Sequence, residues 1–160
     1  SALEAEDAAA RVAALSAAEV QAPEAELVRG LLLGAAQIEA DDTQAAADTL
    51  NAVATSDADN IYKDLAAFKA VLAQGAEMDA NERRIAFEAL AQPGRPLALL
   101  ASEQVALLDI EAGETQAAIE RLQAITLDAG SSAGLRSRAS QLIVALGGEP
   151  ESLPTGTESQ

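Results

Sequence analysis

The most informative stretch of the chain is Ile38–Ala54, IEADDTQAAADTLNAVA, because a close copy of it occurs further along. The copy is Ile110–Thr126, IEAGETQAAIERLQAIT, and nine of the 17 paired positions are identical with no gap. Adding 72 to a residue number of the first copy gives its counterpart in the second, and we call this the repeat offset. In both copies a short polar break separates two segments whose apolar residues recur three and four positions apart, as in amphipathic helices. The repeat predicts a helical hairpin that the chain contains twice.

The packing residues around each copy have the spacing found in tetratricopeptide (TPR) repeats. A small residue of one helix precedes a small residue of the next by twelve positions, and a large apolar residue follows four positions later. These residues are Leu33-Gly34, Ala46 and Leu50 in the first hairpin and Val105-Ala106, Ala118 and Leu122 in the last. Because 72 is about twice the 34-residue TPR period, we expect a diverged hairpin between the two.

The middle hairpin departs from this pattern. Its small residues, Ala73 and Ala86, lie one residue too far apart, so it requires an insertion near Gly75–Ala80. We predict an all-α fold in which residues 23–148 form a TPR-like domain of about three degenerate hairpins with a flanking helix at each end. The alternative is a generic antiparallel helix bundle. Residues 1–22 are predicted to form an N-terminal helical segment, and residues 149–160 a disordered tail.

Apolar periodicity and helix-breaking residues predict eight helices. They cover residues 3–18, 27–40 (a segment opened by Pro23), 43–54 with Thr43 as N-cap, 61–74, a shorter helix capped by Asp79 or Asn81, 97–111, 115–127 and 133–146. Helix 61–74 is expected to bury Ile61, Leu65, Phe68 and Leu72, and the shorter helix to bury Ile85, Ala86 and Leu90.

The composition excludes several classes of function. The 160 residues include 40 Ala but no Cys, His or Trp, which removes disulfides, iron–sulfur clusters, Cys- or His-bound metals and His-dependent catalysis. The formal charge of −16 and the scarcity of aromatic side chains argue against nucleic-acid binding. Residues 1–60 carry 12 acidic and two basic side chains. This excess indicates a solvated surface or, alternatively, a face that selects basic partners.

Three tight pairs of carboxylates are the only candidates for chemistry: Asp41-Asp42, Asp57-x-Asp59 and Glu77-x-Asp79. The second resembles the start of a calcium loop, but the Gly and Glu that such a loop needs at its sixth and twelfth positions are missing. Helix capping explains this second pair better. The sequence therefore predicts a protein that is not an enzyme, with no catalytic, cofactor-binding or metal-binding residues and no cofactor, and it assigns no partner-binding residues.

Three stretches, 61–75, 96–125 and 134–148, resemble the C-terminal TPR-like domain of the YfgM-type proteins, which are ancillary subunits of the SecYEG translocon, and in particular their alphaproteobacterial branch. The resemblance covers about Leu27–Gly148 and is carried by three features occurring together. They are Tyr62-Lys63-Asp64-Leu65-Ala66, the hairpin at Gly113, and Leu135-Arg136-x-Arg138-Ala139.

This resemblance implies a non-enzymatic interaction scaffold on the periplasmic side of the inner membrane. A transmembrane anchor would precede the present chain, with residues 1–22 as the juxtamembrane connector. The implied partners are translocon subunits, periplasmic chaperones and client polypeptides, and a homo-oligomer is a further expectation. The first helices of the hairpins would line a groove for short apolar segments. The alternative function is that of a soluble structural or oligomerising repeat domain in another envelope complex.

The packing role of Ala118 gives a first test. Replacing Ala118 by Leu would overpack the contact between helices 97–111 and 115–127 and cost about 1–3 kcal/mol of stability. Thermal unfolding followed by circular dichroism measures the change. An unchanged unfolding midpoint would show that Ala118 does not lie at a helix–helix contact.

Overall fold

The computed structural model describes residues 7–151 of the chain, and every regular element in this range is helical, as the sequence predicts. The elements are α1 (Ala8–Ala17), α2 (Pro23–Glu39), α3 (Thr43–Ala54), α4 (Asn60–Gln74), a short 3-10 turn (Gly75–Glu77), α5 (Ala80–Leu90), α6 (Ala98–Glu111), α7 (Thr115–Leu127) and α8 (Ala133–Ala145). The predicted start of the first helix and most of the predicted tail lie outside the described residues.

Short polar side chains begin several of these helices. Asp42 accepts a hydrogen bond from the amide of Ala45 and is therefore the N-cap of α3, whereas the sequence analysis assigned this role to Thr43. Asp79 accepts a hydrogen bond from the amide of Asn81 over 2.9 Å at the start of α5. Such bonds satisfy amides that have no partner inside the helix. Pro23 occupies the first position of α2, where its missing N–H costs nothing.

The chain forms two compact units within the range that the sequence analysis assigned to one domain. The N-terminal unit runs to Ala86 and includes Arg95–Leu97, and the C-terminal unit comprises Phe87–Gly94 and the chain from Ala98 onward. In the N-terminal unit α1 packs on α2, α2 on α3, and α3 on α4. In the C-terminal unit α6 packs on α7, and α7 packs on α8.

The structure corrects the prediction of three hairpins. Among the described residues, only α2–α3 and α6–α7 form the hairpins that the repeat predicts, and α5 does not pack along α4. Gly75 ends α4 with a φ of 48°, and the 3-10 turn follows where the sequence required an insertion. The residues of α5 are divided between the two units, and the middle pair of helices does not form a hairpin.

The two hairpins share the same turn. In the first hairpin the amide of Asp42 donates to the carbonyl of Gln37 over 2.9 Å. In the second, at the repeat offset, the amide of Glu114 donates to the carbonyl of Asp109 over 2.8 Å. The sequence repeat is therefore also a repeat of backbone geometry.

Further contacts recur at the repeat offset. Asp41 has a φ of 57°, and Gly113, its counterpart, has a φ of 76°, so both occupy the left-handed region. Side-chain hydrogen bonds one turn into the following helix are also duplicated. They are Gln44 to Asp48 at 2.9 Å and Gln116 to Glu120 at 3.0 Å.

The α2–α3 hairpin depends on two glycines that face α3. A Cβ atom on Gly34 would lie 2.6 Å from Cγ of Leu50, and one on Gly30 would lie 2.6 Å from a methyl carbon of Val53. Leu50 has no exposed surface and cannot move aside freely. In the α6–α7 hairpin the predicted packing residues Val105, Ala106, Ala118 and Leu122 are also fully buried.

Helix α4 buries a different face from the predicted one. Its contact with α3 is made by Ala66 and Ala70, which pack on Leu50 and Val53. Ile61 and Leu72 were expected inside but are 44% and 46% exposed. Small side chains form this contact because they let α4 approach α3 closely. The larger side chains of Ile61 and Leu72 stay largely exposed.

Helix α5 also differs from expectation. Ile85 was predicted to face inward, yet 67% of its surface is exposed. Phe87 and Leu90 are the buried residues of this helix. The burial of Leu90 was predicted, and that of Phe87 was not.

The close approach at Gly34 yields a stability prediction. Gly34→Ala gains helix propensity of up to about 1 kcal/mol, but the added Cβ collides with the immobile Leu50, so a net loss of about 1–2 kcal/mol is expected. The matched control is Gly134→Ala in α8, where an added Cβ meets only Arg138, at 3.9 Å. We expect this control to be neutral or slightly stabilising. Chemical denaturation measures both, and a Gly34→Ala protein as stable as the control would refute the close contact.

Candidate functional site

The N-terminal unit contains a cleft of about 660 Å³. Its walls are the start of α2, the end of α3, the turn between α3 and α4, and the first turn of α4. The volume falls within the range of about 300–1,000 Å³ that is common for ligand sites. We call it the acidic cleft, because four carboxylates lie among the residues that line it.

We call the five largely apolar residues described here, all of which line the acidic cleft, its floor. They are Leu27 and Leu33 of α2, Ala52 and Val53 of α3, and Tyr62 of α4. Leu33 and Val53 are buried, whereas Ala52 is exposed and Tyr62 is 40% exposed. Tyr62 therefore presents an aromatic surface and a hydroxyl to solvent, a combination often found at binding sites.

Four carboxylates and one guanidinium line the same cleft: Glu24, Glu26, Asp57, Asp59 and Arg29. The guanidinium is already engaged, because Nε of Arg29 donates to Oε2 of Glu26 over 3.1 Å. Within the described chain the other three carboxylates have no side-chain hydrogen bond or ion pair. The cleft therefore offers uncompensated negative charge beside an apolar floor.

Arg29 also ties the cleft to α1. Its Nη1 donates over 3.2 Å to the backbone carbonyl of Leu15, at the end of α1. Hydrogen bonding to Glu26 raises the pKa of Arg29, against an opposing effect of burial. The same hydrogen bond lowers the pKa of Glu26, again against burial, and the positive charge of Arg29 lowers it further. Arg29 thus forms hydrogen bonds within the N-terminal unit to both Glu26 and the end of α1.

The three carboxylate pairs differ in whether they cap a helix. Asp42 and Asp79 are caps, as described above. Asp59 stands at the N-cap position of α4, but its side chain makes no capping hydrogen bond, so the prediction is wrong for this residue. Within residues 7–151 no three His, Cys, Asp or Glu side chains come together in a way that could hold a metal ion.

The acidic residues of the cleft flank the first copy of the repeat, and none of them has an acidic counterpart at the repeat offset. At the repeat offset, Ala98, Ala129 and Ser131 stand in the places of Glu26, Asp57 and Asp59. Arg121 stands in the place of Thr49, which lines the cleft. Because the two hairpins have the same turn geometry without sharing these charges, the acidic residues of the cleft are not needed to form the hairpin.

The motif residues that carry the family resemblance have mainly structural contacts. Asp64 is 2% exposed and accepts a hydrogen bond from Arg95 over 2.5 Å. Arg138 donates to both carboxylate oxygens of Glu103, over 2.8 and 2.9 Å. This hydrogen bonding, together with the negative charge of Glu103, raises the pKa of Arg138.

The neighbouring motif residue Arg136 holds the turn between α7 and α8. Its guanidinium donates to the backbone carbonyls of Thr126, Asp128 and Ser131 over 3.2, 3.3 and 2.9 Å. Of the motif residues described here, Tyr62 alone lines the acidic cleft.

The sequence analysis assigned no binding residues and did not find the cleft. Its residues come from α2, α3, α4 and one turn, and no spacing rule connects them. The acidic excess of residues 1–60 is the one signal that pointed toward this part of the chain.

Comparison of the chain with protein-family models, with curated proteins and with solved structures gives no match. None of the helices described between residues 7 and 151 combines the length and apolar character needed to cross a bilayer.

The Glu26–Arg29 pair yields a pH-dependent prediction. Arg29→Gln removes both the hydrogen bond and the positive charge, so the pKa of Glu26 should rise toward that of an ordinary glutamate. Since the folded protein lowers this pKa, the pair stabilises the fold at neutral pH, and this contribution disappears as the pH falls through the lowered value. A carbon-detected NMR titration of the Glu26 carboxyl measures the shift. Lys69→Gln is the control, because it removes the same charge at a different position. An equal rise in the Glu26 pKa in this control would show that the effect comes from long-range charge alone.

Proposed function

We propose that this chain is a non-enzymatic protein-interaction domain whose binding site is the acidic cleft. The observation that carries the proposal is the combination of an apolar floor with three carboxylates that have no side-chain hydrogen bond or ion pair within residues 7–151. Apolar surface favours burial by a partner, and unpaired charges at its edge select the partner's sign. The two-hairpin architecture suits this role, since helical repeats present extended surfaces to other proteins.

A finer proposal concerns the setting of this domain. The chain is the TPR-like domain of a membrane-anchored protein of the YfgM type, facing the periplasm and linking the Sec translocon with chaperones or client polypeptides. The repeat offset, close to two TPR periods, and the motifs around Asp64, Gly113 and Arg138 support it. The contacts of Asp64 with Arg95 and of Arg138 with Glu103 give these motif residues a structural role in this chain.

Site-specific photo-crosslinking tests both levels of the proposal. A photoreactive amino acid is placed at Ala52, on the exposed floor of the cleft, in the full-length protein in native membranes. The matched control is Ala124, its exposed counterpart in the α6–α7 hairpin. Captured proteins are identified by mass spectrometry.

Capture of translocon subunits or periplasmic chaperones at Ala52, and not at Ala124, is the expected result. Capture of an unrelated protein at Ala52 alone would retain the interaction site and overturn the translocon assignment. Capture of a second copy of the chain would favour the oligomerising alternative. Equal capture at both positions, or none at Ala52, would overturn the role of the cleft.

A further inference from the structure

We infer that the acidic cleft binds a short cationic amphipathic peptide segment, in which an apolar side chain enters the cleft and flanking Lys or Arg side chains meet its carboxylates. This inference rests on the proposed function and specifies the chemistry of the partner.

The apolar part of the ligand follows from the floor. Leu27, Ala52 and Tyr62 are at least partly accessible and surround the buried side chains of Leu33 and Val53. Water beside such a surface is displaced favourably by an apolar group, at roughly 25 cal/mol for each Å² removed from solvent. A purely polar or purely ionic ligand would not displace water from this floor and would gain no binding free energy from burying it.

The cationic part follows from the charges. Arg29 is hydrogen-bonded to Glu26. Within the described residues, the carboxylates of Glu24, Asp57 and Asp59 have no cation paired with them. A ligand that covered them without a positive charge would strip water from three anions and return no compensation. Lys and Arg side chains supply that compensation through charge-assisted hydrogen bonds, and an anionic segment would be repelled.

The second copy of the repeat supports this inference independently. The α6–α7 hairpin keeps the same turn, but at the repeat offset the residues that flank this hairpin, Pro96, Ala129 and Ser131, stand in the places of Glu24, Asp57 and Asp59. It also places Arg121 where the first copy has Thr49, and there the Nε of Arg121 donates to Asp109 over 3.1 Å. The shared fold therefore does not require the acidic residues of the cleft.

Calorimetric titration of the 160-residue chain tests the inference directly. The probe is an eight-residue peptide of Leu and Lys, with two control peptides in which Glu replaces Lys or Ser replaces Leu, and with spermidine as a cation that has no apolar side chain. Tyr62 is the only Tyr and there is no Trp, so Tyr fluorescence reports whether binding occurs at the cleft. We expect saturable binding of the Leu/Lys peptide alone, with a change in Tyr62 emission.

Two pairs of variants locate the contacts. The triple variant Glu24→Gln, Asp57→Asn, Asp59→Asn should weaken binding about tenfold or more. Its control, Glu120→Gln, Glu149→Gln, Glu151→Gln, removes the same charge outside the cleft and should have much less effect at physiological salt. Ala52→Leu should obstruct the floor, and Ala124→Leu should not. All of these positions are exposed, and circular dichroism confirms that each variant is folded.

Equal weakening by the two triple variants would reduce the effect to general charge attraction and overturn the inference. If the Ser-containing peptide or spermidine bound as well as the Leu/Lys peptide, the inference that the ligand needs an apolar side chain would be overturned. If the Glu-containing peptide bound, the inference that the ligand must be cationic would be overturned. Failure of all peptides while crosslinking at Ala52 still captures a partner would reject this ligand chemistry and leave the proposed function standing. Failure of both experiments would reject both proposals.

Discussion

The close approach of α2 to α3 is the constraint on which the N-terminal unit depends. A chain so rich in Ala removes little apolar area per residue from water, so its helices must lie close together to make enough contacts. Gly30 and Gly34 permit this approach, and Leu50 and Val53 fill the space that the absent side chains leave. Val53 also contacts α4 through the shared core and lines the floor of the cleft. One packing arrangement therefore sets both the hairpin and the walls of the proposed binding site.

The two hairpins show how a repeated fold acquires different surfaces. In the α6–α7 hairpin, Arg121 pairs with the buried Asp109. In the α2–α3 hairpin the corresponding residues are Thr49 and Gln37, and Oε1 of the buried Gln37 has no hydrogen-bond partner in the described part of the chain. An Arg at position 49 would bring a guanidinium to the edge of the acidic cleft. The first copy lacks this ion pair and keeps its cleft free of a second cation.

The sequence predicted the helices and the repeat well, because periodicity, caps and breakers act locally. It failed for the buried face of α4, since a hydrophobic pattern selects the largest residues, Ile61 and Leu72, while the contact is made by the smallest, Ala66 and Ala70. It also failed for the middle hairpin, where a 3-10 turn follows α4 and the residues of α5 are divided between the two units. The cleft could not be derived from spacing, as its residues meet only after three helices have packed.

The shared turn has a consequence for how this chain could change in length. Asp41 and Gly113 occupy the same backbone region at the same point of their turns, and the residue after each returns a hydrogen bond to the end of the preceding helix. Recombination between the two copies at this point would join α2 directly to α7, with Gly34 opposite Leu122, and would remove 72 residues that contain α3, α4, α5 and α6. The reverse event would add a block of the same length. The gene can therefore gain or lose this block of four helices in a single step while keeping the same turn.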